Sequence, residues 1–397
     1  MELSRRVQAI KPSPTLAVTA RAAMLKASGR DIIGLGAGEP DFDTPQHIKD
    51  AAIGAINAGF TKYTAVDGTP SLKAAIIAKF KRDNGLDYAP KQILVSCGGK
   101  QSFFNLVQAV INPGDEVIIP APYWVSYPDI VILADGKPVT IEAGIEQGFK
   151  ITPAQLEAAI TSRTRLFVIN SPSNPTGAVY TREELAAIGE VLRKHPQVLI
   201  ATDDMYEHIR LNDVPFVNIL NTCPDLYDRT LVLNGVSKAY SMTGWRIGYA
   251  AGPETILRAM TNVQSQSTSN PTSISQVAAE AALNGDQGCM APMLAAFRER
   301  HRLVVDGLNA IPGFKCVDSG GAFYAFPDAR AAISSLLARD IIEEGTDIAF
   351  SEYLLESADV AVVPGSAFGA EGYIRLSFAT SRDNLEKALA RLAAALA

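Results

Sequence analysis

The sequence has few cysteines and few histidines, and neither residue type is spaced as in a metal site or a disulfide framework. Its four cysteines are scattered through 397 residues without a CxxC pair, and its four histidines are equally dispersed. These spacings argue against a zinc site and against a small disulfide-rich fold. We therefore expect no bound metal and a reducing, cytoplasmic location.

Long basic runs and long apolar runs are also missing. Charged residues make up 20% of the chain and the formal net charge is −6, a balance that does not favour binding to nucleic acid or to an anionic membrane. No segment has the ~20 apolar residues of a membrane span, and residues 1–11 lack the apolar core of a signal peptide. We expect the partners to be small molecules and a second copy of the chain.

Short apolar runs alternate with helical patterns through the middle of the chain. Buried strands are predicted at residues 92–96, 116–119, 165–169, 198–202, 230–233 and 247–251. Helices are indicated over 71–82 and over 181–194, where Thr181 and Glu184 have the spacing of a capping box. The alternation predicts an α/β fold with a mainly parallel sheet, whose ligands bind beyond the carboxyl ends of the strands.

The pattern changes near residue 281. A helical pattern continues through residue 309, and a strand-like segment follows at 321–326, before a further helical stretch and a final strand and helix over 373–396. The chain is also longer than one domain usually is. We predict a large domain at 49–283 and a smaller α+β domain at 284–397, with residues 1–48 forming an N-terminal arm and part of the smaller domain.

Residues 235–248 contain the most informative motif, a lysine among small residues with an arginine eight positions later. Lys238 can form a Schiff base with an aldehyde only when its amine is deprotonated, and burial near other cations lowers its pKa. Arg246 offers a forked donor to a phosphate. The alternative is an ordinary surface lysine. The segment resembles the cofactor-lysine motif of class I and II aminotransferases, which are pyridoxal-phosphate-dependent enzymes of fold type I.

Other segments are similar to the same family, in the same order along the chain. The resemblance implies that Asp203 holds the pyridine nitrogen of pyridoxal 5'-phosphate protonated, which makes the ring an electron sink. It also implies that Tyr206 and Asn174 bind the phenolic oxygen of the ring. Taken alone, each of these loops could be a plain turn.

The phosphate site implied by the resemblance lies around residues 98–101, between a strand and a helix that we expect to begin near residue 102. Gly99 and Lys100 would contact the phosphate there, where free backbone N–H groups favour an anion. Many members carry a serine where this chain has Gly235, and Ser237 is expected to compensate.

Two aromatic residues complete the implied cofactor site. Trp124 would stack on the pyridine ring, although a buried tryptophan is more often part of a core. Tyr63 resembles the tyrosine that reaches the phosphate of the neighbouring subunit. The resemblance therefore implies a homodimer with active sites at the interface.

An arginine within an apolar strand indicates the substrate site. Arg375 is costly to bury unless it pairs with an anion, and either a structural salt bridge or a ligand could supply that anion. The family's matching arginine binds the substrate α-carboxylate through a bidentate fork. The resemblance places Gly38, Trp124 and Asn174 beside it.

The chain is most similar to the aspartate aminotransferase branch found in many bacteria, through residues 38–45, 98–101 and 265–268. In that branch Lys100, with hydroxyls matching Ser13 and Thr15, receives the distal carboxylate, although Lys100 could instead serve only the phosphate. The implied reaction moves the amino group of L-aspartate to 2-oxoglutarate in a ping-pong cycle, giving oxaloacetate and L-glutamate. Lys238 would then be both the cofactor anchor and the catalytic base.

Other functions remain open at this point. Relatives in the same branch can aminate prephenate to arogenate, so a prephenate or bifunctional enzyme is the nearest alternative. A pyridoxal-phosphate-dependent lyase on this fold would use the same Lys238 and Arg375. A transcription regulator would need a DNA-binding domain, and we expect no room for one.

Overall fold

The computed structural model describes residues 3–12 and 14–397, and fourteen α-helices lie within these ranges. They are α1 (Arg5–Ala9), α2 (Pro14–Ala27), α3 (Gln46–Asn57), α4 (Pro70–Lys79), α5 (Gly99–Val110), α6 (Ser126–Leu133), α7 (Pro153–Ala159), α8 (Arg182–Arg193), α9 (Glu254–Ser265), α10 (Ser273–Asn284), α11 (Ala291–Asn309), α12 (Arg330–Ala338), α13 (Asp347–Ala358) and α14 (Arg382–Leu396). Judged by length and hydropathy, none of these helices could span a membrane.

Twelve strands form three sheets in the same described ranges. The strands are β1 (Ile33–Gly34), β2 (Ile93–Ser96), β3 (Glu116–Ala121), β4 (Lys137–Glu142), β5 (Thr164–Asn170), β6 (Leu199–Asp203), β7 (Thr230–Gly235), β8 (Gly248–Ala251), β9 (Tyr324–Ala325), β10 (Val360–Ala361), β11 (Val363–Pro364) and β12 (Ile374–Ser377). All six strands predicted from the apolar runs are present, with ends shifted by one or two residues.

The central sheet has seven strands in the order β2-β8-β7-β6-β5-β3-β4. Only β8 runs against its neighbours, so β2 and β7 point the same way as the parallel strands. Along β5, Phe167 and Ile169 pack into one apolar core while Leu166 and Val168 pack into another. Alternate residues of a strand point to opposite faces, so both faces of the sheet are covered, as the continuous apolar runs predicted.

A second region is built around the two small sheets. Strand β1 pairs in parallel with β10, and β12 lies between β11 and β9. A separate apolar core joins Ile33 and Leu35 to side chains of α11, α13 and α14. The N-terminal segment thus packs with the C-terminal third of the chain, and the domain boundaries at 48/49 and 283/284 stay predictions.

Three local expectations were wrong. The helical pattern predicted from 281 through 309 is broken, because α10 ends at Asn284 with Gly285 as its C-cap, and a 3-10 turn capped by Asp286 precedes α11. The strand expected over 321–326 is limited to β9. Helix α5 begins at Gly99, three residues earlier than expected, so Lys100 lies within its first turn.

The capping box of α8 is confirmed. The Thr181 hydroxyl accepts a hydrogen bond from the Glu184 N–H at 3.2 Å, and the Glu184 carboxylate accepts one from the Thr181 N–H at 2.8 Å. These two bonds satisfy free donors at the start of the helix.

Candidate active site

The carboxyl ends of five central strands point to one edge of the sheet, and a large pocket lies there. Residues on or just after β2, β3, β5, β6 and β7 line it, together with side chains from β9, β12 and the N-terminal segment. Its volume of about 260 Å³ is many times the ~30 Å³ that one water molecule occupies. A small organic molecule therefore fits within it.

The pocket brings together most of the residues that the sequence proposed for the site. Its lining includes Thr15, Gly38, Gly99, Lys100, Trp124, Asn174, Asp203, Tyr206, Ser237, Lys238, Arg246 and Arg375. Tyr63 does not line it within one chain, and its side chain is 92% exposed. Ser13 lies outside the described residues.

Sequence reasoning missed several lining residues, of which Asn170 and Tyr324 are the most informative. Asn170 ends β5, accepts a hydrogen bond from the Asn174 N–H at 2.8 Å and donates one to the Asp203 carbonyl at 3.1 Å. A polar residue at the carboxyl end of a buried strand was the signal that could have identified it. Tyr324 carried no such signal, because it sits in the middle of an apolar segment.

Lys238 follows β7 by three residues and points into the pocket. Its Nζ donates a hydrogen bond to the Gly38 carbonyl at 2.5 Å. Burial lowers the pKa of Lys238 to about 8, with the positive charges of Arg375 and Arg246 contributing and the negative charges of Glu39 and Asp203 opposing the shift. A larger fraction of this amine is therefore deprotonated near neutral pH than for an exposed lysine, and the deprotonated form is what a nucleophile or proton acceptor requires.

Asp203 and Asp204 are neighbours in sequence but face different surroundings. Asp203 lines the pocket and accepts a hydrogen bond from the Tyr127 hydroxyl at 2.6 Å. Burial raises the pKa of Asp203, although the bond from Tyr127 opposes the shift. A cationic N–H group placed against this carboxylate would restore its charged form.

Asp204 points away from the pocket into the protein interior. It accepts hydrogen bonds from the Thr202 hydroxyl at 2.6 Å and from the Asn218 amide. Burial and the negative charge of Glu207 raise the pKa of Asp204 to about 7. Asp204 is therefore enclosed by protein partners, with no face toward a ligand.

Arg375 is buried on β12 at the opposite wall of the pocket. Its Nη1 donates to the Asn174 Oδ1 at 2.9 Å, and its Nη2 donates to the Gly36 carbonyl at 2.7 Å. Burial lowers the pKa of Arg375. Its Nε is buried without a hydrogen-bond partner among the described residues. The two Nη bonds are to neutral oxygens, so the guanidinium has an uncompensated positive charge beside the pocket.

The start of α5 forms a third wall. Its first N–H groups have no helical partners, and Gly98 has a φ of +87° that turns the chain into the helix. A Cβ atom added at Gly98 would collide with the Arg246 guanidinium, so the absence of a side chain lets the arginine lie against the helix start. Backbone donors, helix dipole and guanidinium together form a site suited to an anion.

Two residues flank this anion site. The Lys100 Nζ lies 5.2 Å from the centre of the Trp124 ring, a cation–π arrangement. Burial and the nearby charge of Arg246 lower the pKa of Lys100. The lysine therefore meets an aromatic face and another cation, with no carboxylate in ion-pair range among the described residues.

The charges of the pocket are strongly unbalanced. Its lining contains four cationic side chains, those of Lys100, Lys238, Arg246 and Arg375, and one carboxylate, that of Asp203. Such an excess of positive charge favours a ligand with several anionic groups.

Comparison with known proteins agrees with this geometry. The family model described as aminotransferase class I and II matches residues 30–392. The aspartate/prephenate aminotransferase of Nitrosomonas europaea is 70% identical over 396 residues, covering 100% of both chains. The aspartate aminotransferase of Geobacillus stearothermophilus is 54% identical over 393 residues, covering 99% of this chain and 98% of the relative.

Solved structures give the same result. The aspartate aminotransferase of Rhizobium meliloti superposes with a TM-score of 0.95 at 51% identity, covering 100% of this chain and 99% of the other. The Thermus thermophilus aspartate aminotransferase with maleate has a TM-score of 0.92 at 45% identity, covering 100% of both chains. These matches confirm the predicted family resemblance and fold type I. The chain belongs to the class I and II aminotransferases, a family of transaminases that act on amino acids and 2-oxo acids.

Proposed function

We propose that this chain binds pyridoxal 5'-phosphate through Lys238 and transfers the amino group of L-aspartate to 2-oxoglutarate. The observation that carries the proposal is that one pocket holds a lysine of lowered pKa, a facing carboxylate and an excess of cations. Two similar relatives, at 70% and 54% identity, are named for aspartate. Because a ping-pong cycle runs the same steps in reverse, one set of residues serves both half-reactions.

Four parts of the pocket would suit four parts of the cofactor. The start of α5 with Arg246 suits the phosphate, and Ser237 lies beside them in the lining. Asp203 would face the ring nitrogen, where its negative charge favours the protonated ring. Trp124 would cover the ring, while Tyr206 and Asn174 would bind its phenolic oxygen. When bound, the cofactor supplies an aldehyde that takes up the amino group and a ring that stores electrons.

Different residues of the chain would bind the substrate and transfer its proton. The guanidinium of Arg375, which has no carboxylate partner among the described residues, would bind the α-carboxylate beside Asn174 and Gly38. This places the substrate Cα close to Lys238, whose free amine would take the Cα proton as a general base. A pKa near 8 leaves part of that amine ready to accept a proton at neutral pH.

We further propose a preference for dicarboxylic substrates. Lys100 and Thr15 line the same pocket as Arg375, so a second carboxylate would find a cation and a hydroxyl there. The Thermus relative was solved with maleate, a four-carbon dicarboxylate. Prephenate also carries two carboxylates, and the relative at 70% identity is named for both aspartate and prephenate. Prephenate is therefore our second candidate substrate.

We also propose a homodimer in the cytoplasm. Tyr63 is 92% exposed in one chain, as expected of a tyrosine that completes a site in another copy. Apolar side chains close to it in sequence, including Ile53, Ile56 and Phe60, are exposed as well. The four cysteines are free, which fits a reducing compartment.

Replacement of the proposed anchor tests the assignment. Lys238→Ala should abolish 2-oxo-acid-dependent amino transfer from aspartate, because both the anchor and the base are lost. Lys194→Ala, which removes an exposed lysine paired with Glu157, should retain full activity. Transamination by Lys238→Ala at the unaltered rate would refute the proposal, whereas release of ammonia without a 2-oxo acid by the unaltered protein would identify a lyase.

A further inference from the structure

Tyr324 lies between the two halves of the proposed site. Its backbone on β9 is paired with Ser377 on β12, and its carbonyl accepts a hydrogen bond from the Ser319 hydroxyl at 3.2 Å. The side chain is fully buried, and its ring centre is 4.5 Å from the Arg375 guanidinium carbon. The backbone pairing, the burial and the contact with Arg375 therefore restrict the position of the ring.

The Tyr324 hydroxyl meets the hydroxyl of Tyr206. Their oxygens are 2.9 Å apart, and either group can donate the hydrogen bond. Neither hydroxyl has another partner within residues 3–12 and 14–397. A Cβ atom added to Gly38 would lie 3.0 Å from the Tyr324 oxygen. The hydroxyl therefore lies next to Gly38, which lines the pocket together with Tyr324.

The direction of this hydrogen bond follows from counting protons. A tyrosine hydroxyl has one proton to donate and can still accept through its lone pairs. If Tyr206 donates its proton to the phenolic oxygen of the cofactor, it has none left for Tyr324. The bond at 2.9 Å can then persist only with Tyr324 as the donor.

We propose that Tyr324 is a positioning residue of the transamination site, which donates a hydrogen bond to the Tyr206 hydroxyl and thereby strengthens the bond from Tyr206 to the cofactor. The inference rests on the proposed function. A hydroxyl that accepts one hydrogen bond becomes a better donor in the next, by roughly 10–30% per bond. Because β9 and β12 hold Tyr324 rigidly, it also fixes the direction in which Tyr206 donates.

The two hydrogen-bonded hydroxyls should change how tightly a nearby proton is held. With the cofactor bound as proposed, the nitrogen of Lys238 would carry a proton that the phenolic oxygen contacted by Tyr206 helps to hold. A donor on that oxygen takes up part of its negative charge, so the proton is held less tightly. Weakening the donor therefore raises the pH at which the proton leaves.

The experiment is a pH titration of the visible absorption of the cofactor-loaded protein. Tyr206→Phe removes a charge-assisted hydrogen bond and should raise the titration midpoint by roughly 1 to 2 pH units. Tyr324→Phe keeps the ring over Arg375 and should raise it by roughly 0.2 to 0.7 pH unit, since only the cooperative part is lost. The double variant Tyr206→Phe/Tyr324→Phe should titrate like Tyr206→Phe alone.

Two further proteins make the result specific. Tyr180→Phe removes a buried hydroxyl that accepts the Ile151 N–H at 3.1 Å, outside the pocket lining, and should leave the midpoint unchanged. A ring-fluorinated tyrosine in place of Tyr324 is a stronger donor and should shift the midpoint downward. This opposite sign tests the proposal even if Tyr324→Phe folds poorly.

The outcomes separate this inference from the proposed function. An unshifted midpoint in Tyr324→Phe, or a shift that adds in full to that of Tyr206→Phe, would overturn the role of Tyr324. A visible band that keeps the same pH dependence in Lys238→Ala would instead overturn the proposed function.

Discussion

Two clusters of charged side chains lie near the carboxyl ends of the central strands. One contains cations without carboxylate partners in the described part of the chain, whereas the other contains a buried ion pair. In the pocket, Lys238 and Arg375 have no carboxylate within ion-pair distance among the described residues. In the second cluster, formed by Lys79, Asn84, Glu207 and Asn234 and called here the Glu207 cluster, Lys79 forms an ion pair with Glu207. Both members of that pair are buried.

No buried polar side-chain atom of the Glu207 cluster lacks a hydrogen-bond partner in the part of the chain that the structure describes. The Glu207 carboxylate accepts hydrogen bonds from the amides of Asn84 and Asn234, each at 2.7 Å. Burial opposes ionisation of Glu207, but the positive charges of Lys79 and His208 and the hydrogen bonds from Asn84 and Lys79 together lower the pKa of Glu207. Glu207 also lies within metal-ligand distance of Asp83 and His208, but the ammonium of Lys79 already supplies the positive charge that a cation would bring.

The comparison teaches how to separate functional from structural charge. A buried charge that has partners needs no ligand, whereas a buried charge without partners is costly until a ligand arrives. Tyr206 and Glu207 are adjacent in sequence, yet one faces the pocket and the other the Glu207 cluster. Polarity and position in the sequence do not assign a role, but the partners of each side chain do.

The largest expected effect separates the two adjacent aspartates. Asp203→Asn should lower kcat by about 10³-fold or more, because it removes the counter-charge proposed for the ring nitrogen from a buried site. Asp204→Asn should cost far less, since with a pKa of about 7 Asp204 is already partly protonated at neutral pH, and an amide resembles that form. Steady-state kinetics with aspartate and 2-oxoglutarate would measure both. Equal losses, or the reverse order, would show that the wrong carboxylate was assigned.

The next effect is on stability and belongs to the Glu207 cluster. Lys79→Met should lower the free energy of unfolding by roughly 3 to 4 kcal/mol, because it leaves the Glu207 charge buried without its partner. The double variant Lys79→Met/Glu207→Gln should recover part of that loss. Urea denaturation of the cofactor-free protein would give the values.

Lys238→Ala is the matched control from the pocket. This substitution removes an unpaired buried cation, so we expect the free energy of unfolding to be unchanged or increased. A loss as large as that of Lys79→Met would remove the distinction between the two clusters.

The fold was largely predictable because its strands are buried on both faces. Continuous apolar runs such as β5 stand out from their surroundings in the sequence. The one strand of the central sheet that was missed is β4, an edge strand in which Ile141 alone is fully buried. Without a buried face on both sides, β4 has no continuous apolar run, and the polar residues of Lys137–Glu142 resemble a loop.

Residues of the candidate site could be predicted from the sequence only where they lie in a recognisable motif. Lys238 and Asp203 lie in recognisable short segments, but Tyr324 acts through contacts with Tyr206 and Arg375 that are 118 and 51 residues away in the chain. The Glu207 cluster is similar, since Lys79 and Glu207 are 128 residues apart. Pairings of this kind arise from strand order and packing, which local sequence patterns do not encode.

The smallest expected effect tests the charge of Lys100 within the pocket. If this ammonium binds the distal carboxylate of the substrate, Lys100→Met should lower kcat/KM for aspartate and 2-oxoglutarate by roughly 1.5 to 3 kcal/mol, the cost of a lost charged hydrogen bond. The methionine side chain can still pack against Trp124, so the substitution removes the ammonium 5.2 Å from the ring centre without leaving a cavity. Alanine and phenylalanine lack a second carboxylate and should keep whatever activity they have, whereas prephenate should decline with aspartate.

The control for this prediction is Lys91→Met, which removes an exposed lysine paired with Glu254 just before β2 and should leave kcat/KM unchanged for every substrate. The rival role for Lys100 is binding of the cofactor phosphate beside Arg246 at the start of α5. In that case Lys100→Met would weaken cofactor binding and reduce activity equally with all amino acids. A uniform loss would therefore assign Lys100 to the cofactor, and a loss confined to dicarboxylates would assign it to substrate choice, because only the second role distinguishes one substrate from another.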